Sequence, residues 1–266
     1  MKDPLFARLY HLTLLATLVM VCVFAAFPGL DLAISGLAYR GEGHFALASV
    51  PMAQMVNDLL RMLLNLAAWS IVLLAIGLRF AGRRPQIGRQ NLEFAAFVLA
   101  VGPGLIVNGL LKEIVGRARP ADITAFGGKR VFTPLLQFTD QCMSNCSFTS
   151  GEVGMTTAAV MIVLVLCWHL LPKGGRAAAL TAGVALICLS ITLRVGLGRH
   201  FMSDALASVA IVGFVTMWGW RLFDIGTARA RITGAALLAD LRTLIRPPAA
   251  GARRLGRLVL SRQSKP

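Results

Sequence analysis

The sequence predicts an all-α protein built as a bundle of six transmembrane helices, and three features support this. Of its 266 residues, 56% are hydrophobic and only 15% are charged, and the mean hydropathy is +0.70. Soluble domains are about 45–50% apolar and about 25% charged. Six stretches are long enough to cross a bilayer, and basic residues are concentrated in alternate connections between these stretches, which lie on one side of the membrane. This composition excludes a disordered protein, a soluble nucleic-acid binder and a small disulfide-stapled domain.

Each predicted span is a run of roughly 20 mostly apolar residues, the length that crosses about 30 Å of hydrocarbon as a helix. The spans are residues 9–28, 62–81, 92–111, 154–171, 177–193 and 201–222. Lys2 and Arg8 precede the first span, as a basic region precedes the apolar region of a signal peptide. The apolar run here is longer than the about 7–15 residues of such a region. We therefore expect an uncleaved span.

The basic residues predict the orientation of the spans. The chain has 27 Lys and Arg against 12 Asp and Glu, a net charge of +15, and in membrane proteins such an excess lies on the cytoplasmic side. Basic residues precede span one and follow span six. They also lie in two alternate connections: Arg79, Arg83, Arg84 and Arg89 between spans two and three, and Lys173 and Arg176 between spans four and five. We expect a multi-pass protein of the bacterial inner membrane, with both termini cytoplasmic and three loops on the periplasmic side.

The basic stretch after the last span predicts a second region. We expect residues 1–225 to form the membrane domain and residues 226–266 a cytoplasmic tail. Leucines of the tail fall on one helical face, a pattern that suits a helix lying on an anionic leaflet. A solvated tail is the alternative interpretation.

Two of the five cysteines, Cys142 and Cys146, lie in the large outward loop. An oxidising compartment would permit a disulfide between them. Free thiols remain an alternative. A zinc site is a weaker one, because such sites usually have four ligands and no His or second Cys pair lies nearby in the sequence.

Chemistry-bearing residues fall in three clusters, all at the outward ends of the predicted spans. In the first, residues 112–120, Lys112 and Arg119 are seven apart, which would place them two turns apart on one helical face. Arg provides a planar fork for two oxygens and Lys a point charge, so the pair suits a phosphate group.

The second and third clusters add complementary groups. Ser150 and Gly151 precede a predicted helix, whose N-terminus attracts anions and whose glycine allows close approach to the backbone. His200 and Asp204 are four apart, so a carboxylate could orient an imidazole whose other nitrogen attacks. Each feature alone has an ordinary structural explanation, as a cap, a snorkelling anchor or an interfacial residue. Their joint placement favours a phosphate site.

Four further cations lie in the same outward segments: Arg117, Lys129, Arg130 and Arg199. They indicate either general attraction of an anionic head group or recognition of a second phosphate or large acidic head. We take them as candidate head-group contacts.

The three clusters resemble the motifs of the type 2 phosphatidic acid phosphatase superfamily, the lipid phosphate phosphatases related to vanadium haloperoxidases. The first motif, Lys, six residues, Arg-Pro, is matched by Lys112, Arg119 and Pro120. The third is matched by Arg194, His200 and Asp204, although Leu193 replaces its usual Ser. The resemblance covers spans three to six.

The resemblance implies a role for each matching residue. His200 would attack phosphorus and form a phosphohistidine, and Asp204 would orient it. Lys112, Arg119 and Arg194 would hold the phosphate oxygens with Ser150 and the backbone of Gly151. The reaction would need no metal and no cofactor.

The second motif departs from the family, since Glu152 stands where the family has a proton-donating His. Three interpretations stay open. Glu152 is the acid; or another group, such as His44 or water, protonates the leaving oxygen; or turnover is impaired and the protein binds or carries phosphate.

The resemblance implies an enzyme that removes phosphate from a membrane lipid at the periplasmic face, most like the bacterial lipid A phosphatases. Lipid A with its 1- or 4′-phosphate is the preferred substrate, and undecaprenyl diphosphate or phosphatidylglycerophosphate are alternatives. A lipid phosphotransferase and a non-catalytic binder are alternative classes. The expected partners are the lipid substrate and the bilayer, without nucleic acid or a protein partner.

Overall fold

The structure, a computed structural model, describes residues 3–82 and 84–245. Its α-helices in these ranges are α1 (Pro4–Ala26), α2 (Gly29–Ala38), α3 (Pro51–Phe80), α4 (Arg89–Ile114), α5 (Gly151–Cys167), α6 (Lys173–Gly196), α7 (Met202–Leu222), α8 (Ile225–Ala228) and α9 (Gly234–Ile245). Six of them, α1 and α3 to α7, are long and apolar enough to cross a membrane, α5 with a short 3-10 extension. The predicted all-α, six-span fold is confirmed.

Two elements differ from the sequence-based prediction. Helix α3 begins at Pro51 rather than at residue 62, because a helix continues past the apolar stretch that hydropathy detects. Helix α2 was not predicted, since its ten residues are too few to cross a bilayer. Both differences matter for the site, because α2 contributes Asp31 and the first turns of α3 contribute Asn57 and Arg61.

Helices α5 and α7 lie at the centre of the bundle and α1 and α3 at its edge. In the apolar stretch of α7, 56% of residues are buried inside the protein, against 6% for α1. Exposed leucines such as Leu18 and Leu66 face outward from the peripheral helices, which is the surface that lipid covers.

Helix α4 contains a wide, π-helical segment, Ala100–Leu111, which includes Pro103. The side chain of Asn108 donates from Nδ2 to the carbonyl of Pro103 at 2.7 Å. The same side chain packs against the start of α5, where a Cβ atom on Gly151 would lie 2.3 Å from Asn108 Oδ1. A larger residue at position 151 would therefore displace the side chain of Asn108.

The end of α4 corrects one expectation. Lys112 is still helical, but the helix ends at Ile114, and Gly116 turns the chain with a φ of +70°. A Cβ atom there would lie 1.7 Å from the carbonyl oxygen of Thr139. Arg119 therefore does not share a helical face with Lys112, because the chain leaves the helix between them.

At the other end of the bundle, where α3 ends and α4 begins, polar contacts join neighbouring helices. Arg79 pairs with Glu93 at 2.8 Å, joining α3 to α4. The carboxylate of Asp240 on α9 accepts hydrogen bonds from the backbone N–H groups of Gln86 and Ile87. The predicted tail thus begins as a helix docked on the connection between α3 and α4. The leucines that predict an interfacial helix, from Leu237 to Leu244, belong to α9, and their contact with a leaflet stays a prediction. Residues 246–266 lie outside the described residues.

Candidate active site

The three clusters meet at one end of the bundle, where α4 and α6 end and α5 and α7 begin. Short contacts join them. The backbone N–H of Cys146 donates to the carbonyl of Lys112 at 3.2 Å. Glu152, in the first turn of α5, lies 3.3 Å from Arg194 of α6 and 4.0 Å from His200. The alternating direction of successive spans thus brings residues far apart in sequence to one place.

The imidazole of His200 is fully buried and held in one orientation. Its Nδ1 lies 2.6 Å from the carbonyl oxygen of Ser147. A carbonyl can only accept, so Nδ1 carries the hydrogen and the lone pair of the neutral ring is on Nε2. Nε2 has no hydrogen-bond partner among the described residues, and it faces the Glu152 carboxylate at 4.0 Å. This is the arrangement of an available nucleophile.

Burial lowers the pKa of His200 well below its usual value of 6.5, and the positive charges of Arg194, Lys112 and Arg119 lower it further. The hydrogen bond to Ser147 acts in the opposite direction without reversing the shift. The ring is therefore neutral at pH 7, the form in which Nε2 can attack.

We expect one histidine signal to keep the neutral Nδ1–H form as the pH falls from 8 through 6.5, where an ordinary imidazole is half protonated. The lowered pKa means that protonation begins only well below pH 6.5. Side-chain ¹⁵N spectra of the protein in micelles measure this, because the two tautomers and the cation have distinct nitrogen shifts. The signal should be missing from the His200→Asn variant. A His200 signal that becomes cationic near pH 6.5 would contradict the prediction.

Asp204 does not contact His200 as the motif suggested, since its Oδ2 is 4.0 Å from Nδ1. Its carboxylate instead accepts from Arg117 at 2.5 Å, from Ser147 Oγ at 2.5 Å and from the backbone N–H of Phe201 at 2.9 Å. Asp204 thus fixes Ser147, and the carbonyl of Ser147 fixes His200. The expectation of direct orientation is corrected to an indirect one.

Arg117 also departs from its predicted role. It was expected to contact a head group, but its side chain is 1% exposed and cannot reach one. Its guanidinium lies 2.8 Å from Asp31 of α2 and donates to Ser203, Asp204 and the carbonyl of Thr133. Burial opposes the charge, but Asp204 and Asp31 outweigh burial and raise the pKa of Arg117. Arg117 is a structural cation that ties α2 to the start of α7.

Replacing Arg117 with alanine should lower the free energy of unfolding by about 3–5 kcal/mol, because Asp31 and Asp204 would be left buried without their cation. Thermal unfolding in detergent measures the loss. Arg130→Ala is the matched control, since Arg130 is exposed and such a change usually has an effect within about 0.5 kcal/mol. Equal melting temperatures for the two variants would contradict the proposed role.

The three predicted phosphate-binding cations surround the histidine. Lys112 and Arg194 are buried, at 8% and 6% exposure, and Arg194 also donates to Asn57 at 3.1 Å. Arg119 donates to the carbonyl of Asn145 at 2.6 Å. Burial and the nearby charge of Arg199 lower the pKa of Arg119. Positive charge concentrated in this way favours binding of an anion.

Several buried polar atoms at the site have no partner among the described residues. They include the hydroxyl oxygens of Thr149 and Ser150, Glu152 Oε2 and Arg194 Nε. Ser150 precedes α5 but does not cap it with its side chain. Buried polar groups normally find partners, so these atoms mark a place where a polar ligand or water completes the site.

The remaining predicted residues are divided between two places. Arg199 lines a cavity together with Arg119 and Arg194. Lys129 and Arg130 line a different depression, beside Asp122 and Gln141. The structure therefore brings Arg199 to the site but not Lys129 and Arg130.

The loop between α4 and α5 joins Cys142 to Cys146 through a disulfide, with Cα atoms 5.6 Å apart. Between them Asn145 provides the carbonyl that binds Arg119. His44, an alternative proton donor in the sequence analysis, is exposed and lines none of the cavities described above.

Sequence reasoning missed Asp31, Asn57 and the role of Ser147. Asp31 carried a usable signal, since a carboxylate inside an apolar helix is costly and tends to be functional. Asn57 carried none, because it lies outside the apolar stretch. Ser147 was noted in its cluster, but only the folded chain shows that its carbonyl holds the histidine.

The comparisons with known proteins agree with this geometry. The model of the PAP2 superfamily matches residues 93–226, a range that contains all three clusters. The lipid A 4′-phosphatase of Rhizobium leguminosarum is 31% identical over 203 residues, which cover 70% of this chain and 83% of that protein. The lipid A 4′-phosphatase of Francisella tularensis subsp. novicida is 27% identical over 206 residues, with 75% and 90% coverage.

Among solved structures, the chain is similar to the PAP2 type phosphatidylglycerolphosphate phosphatase of Bacillus subtilis, with a TM-score of 0.46 and 23% identity over 81% of this chain and 96% of that one. The family match extends over half of the sequence and contains the assembled site. The chain therefore belongs to the PAP2 superfamily, and it is a membrane phosphatase of that family.

Proposed function

We propose that this protein removes the 4′-phosphate from lipid A at the periplasmic face of the inner membrane, through a phosphohistidine intermediate on His200. The observation that carries the mechanism is the buried Nε2 of His200, which has no partner in residues 3–82 and 84–245, with Nδ1 fixed by Ser147 and Glu152 opposite. The curated relatives named lipid A 4′-phosphatase support the choice of substrate.

In the first half-reaction, the Nε2 lone pair of His200 forms a bond to phosphorus as the ester P–O bond breaks. The substrate phosphate takes the place of the Glu152 carboxylate beside Arg194, so that Glu152 can take up a proton. Glu152, 4.0 Å from Nε2, then gives this proton to the leaving sugar oxygen. The Nδ1–H remains bonded to Ser147 and stabilises the positive charge that develops on the ring. Lys112, Arg119 and Arg194 stabilise the charge on the transferring phosphoryl group, and the hydroxyl and backbone of Ser150 and Gly151 assist.

In the second half-reaction, a water oxygen attacks phosphorus and the P–N bond breaks. Glu152, now a carboxylate, takes a proton from that water, which returns it to its starting form. The products are inorganic phosphate and the neutral imidazole of His200. One carboxyl group thus serves both halves of the reaction.

The proposed orientation follows from the charges at the two ends of the bundle. Arg79 in the last turn of α3, Arg84 in the connection after it and Lys173 at the start of α6 lie at the end opposite to His200. If that end is cytoplasmic, both termini are cytoplasmic and the site faces the periplasm. Residues 1–225 would then form the membrane phosphatase domain, and residues 226–266 a cytoplasmic tail.

Mass spectrometry of membrane lipids tests the proposal. Cells that express the wild type, His200→Ala or Glu152→Gln are compared for the loss of one HPO₃ unit from lipid A, and fragment ions assign the position. We expect the loss from the 4′ position with the wild type alone. Lipid A that is unchanged by abundant, folded wild-type protein would contradict the substrate, and the loss of phosphate from another lipid would identify it.

A further inference from the structure

A polar cavity of about 380 Å³ lies beside the candidate active site. Its walls come from the first turns of α3, the loop that holds the disulfide and the segment between α6 and α7. The side chains that matter here are Gln54, Asp58, Arg61, Arg119, Arg194 and Arg199. We call this cavity the arginine basin. Its volume is in the range of about 300–1,000 Å³ that is typical of small-molecule sites.

The arginine basin is continuous with the phosphate site. Arg119 and Arg194, two of the cations placed around His200, are also part of its lining. Asn57, which accepts a hydrogen bond from Arg194 at 3.1 Å, lies at the same boundary. A phosphate bound at His200 would therefore have the group that carries it next to this cavity.

The basin holds more positive charge than one phosphate requires. Lys112, Arg119 and Arg194 already serve the transferred phosphate, and Arg61 and Arg199 add two further guanidinium groups. Arg61 is paired with Asp58 at 3.2 Å, but both side chains are more than half exposed, and such surface pairs contribute little. Both added guanidinium groups lie in the lining of the same cavity as Arg119 and Arg194.

The lining also indicates which part of a lipid enters. Polar and charged side chains dominate it, with Ala48 and Leu197 as the apolar exceptions. Acyl chains would leave these groups without hydrogen-bond partners, which is costly. A glycosyl head group offers hydroxyls to Gln54 and can carry a second negative charge to the arginines.

We infer that the arginine basin is a second subsite, which binds a sugar head group through an anionic substituent other than the phosphate removed, held by Arg61 and Arg199. This rests on the proposed function, because it assumes that a glycolipid phosphate is bound at His200. A phosphate and a carboxylate on the sugar share the chemistry that the two guanidinium groups recognise. Arg61 and Arg199 thus set substrate specificity rather than the rate of phosphoryl transfer.

Steady-state kinetics on the purified full-length protein in mixed micelles tests this with three disaccharide lipids. One carries only the phosphate to be removed, one carries a second phosphate, and one carries a carboxylate sugar instead. Arg61→Gln and Arg199→Gln should each raise KM about tenfold for whichever doubly anionic lipid the subsite binds, since one charge-assisted hydrogen bond is lost. KM for the singly charged lipid and all kcat values should stay within about twofold.

Two further variants sharpen the test. Lys129→Gln is the matched control, because it removes one charge from the separate depression at the same end of the bundle. It should leave every KM within about twofold. Asp58→Asn removes the carboxylate beside Arg61 and should lower KM for the doubly anionic lipid, a change opposite in direction to that of the arginine variants.

The inference is overturned if the arginine variants raise KM equally for all three lipids, since that would indicate general attraction, or if they change none. If the wild type releases phosphate from no lipid, the proposed function fails instead. Dissociation constants of the same lipids for His200→Asn protein in nanodiscs need no turnover. They then decide the subsite separately, because adding Arg61→Gln or Arg199→Gln to this protein should raise the dissociation constant about tenfold for the doubly anionic lipid and not for the singly charged one.

Discussion

Replacing His200 with alanine is expected to reduce phosphate release at least roughly 10⁴-fold, because the reaction loses its nucleophile. The ring is buried, Nδ1 is fixed by Ser147, and Nε2 is free of partners among the described residues. Initial rates with purified enzyme and a lipid phosphate measure the loss. Rapid quenching with ³²P-labelled substrate should trap an acid-labile, alkali-stable phosphoenzyme in the wild type alone.

His44→Ala is the matched control for this experiment. His44 is exposed, and its removal should leave the rate within about twofold. This variant also tests the alternative in which His44 protonates the leaving oxygen. Activity retained by folded His200→Ala protein would exclude the phosphohistidine mechanism, and a large loss in His44→Ala would reassign the acid.

Glu152→Gln is expected to slow hydrolysis of the lipid phosphate by about 10²–10⁴-fold, the usual contribution of a general acid. Glutamine keeps the size and the hydrogen-bonding shape of the side chain but cannot donate a proton to the leaving oxygen. The loss should appear in kcat, whereas binding, which depends on Arg194 and Lys112, should change little.

A substrate with a better leaving group distinguishes acid catalysis from a structural role. An aryl phosphate leaves without protonation, so the first half-reaction of Glu152→Gln should be nearly as fast as that of the wild type. The phosphoenzyme should then accumulate, because water attack still lacks its base. An equal loss of phosphoenzyme formation for lipid and aryl phosphate would show that Glu152 supports the site only by its contact with Arg194, at 3.3 Å.

The sequence was sufficient for features that depend on local composition. Hydropathy located six spans, and for five of them the structure differs only in where the helix begins and ends. A helix in lipid forms its backbone hydrogen bonds internally and faces lipid with apolar side chains, so it appears in the sequence as a continuous apolar run. Span two was the exception in extent, since its first turns, from Pro51, are helical although Gln54, Asn57, Asp58 and Arg61 interrupt the apolar run. The spacing of Lys112, Arg119, Arg194 and His200 indicated the family, and the family match confirmed it.

The roles of individual polar groups depended on contacts between distant parts of the chain. Asp204 was predicted to hold His200 because the two are four residues apart, yet its oxygens are occupied by Arg117, Ser147 and the Phe201 backbone. Arg117 was predicted to contact a head group because it lies in an outward segment with other cations, but it is buried against Asp31, 86 residues away.

The sequence by itself thus determined that the protein is a membrane-spanning helical bundle with the motifs of the PAP2 superfamily, because apolar runs and motif spacing are local properties of the chain. Only the tertiary structure decided which imidazole nitrogen is free, which carboxylate pairs with which cation, and that the start of α3 forms a wall of the arginine basin. The physical reason is that hydrogen bonds and ion pairs act over a few ångströms. Their partners are therefore chosen by the packing of α2, α3, α5 and α7 and not by distance along the sequence.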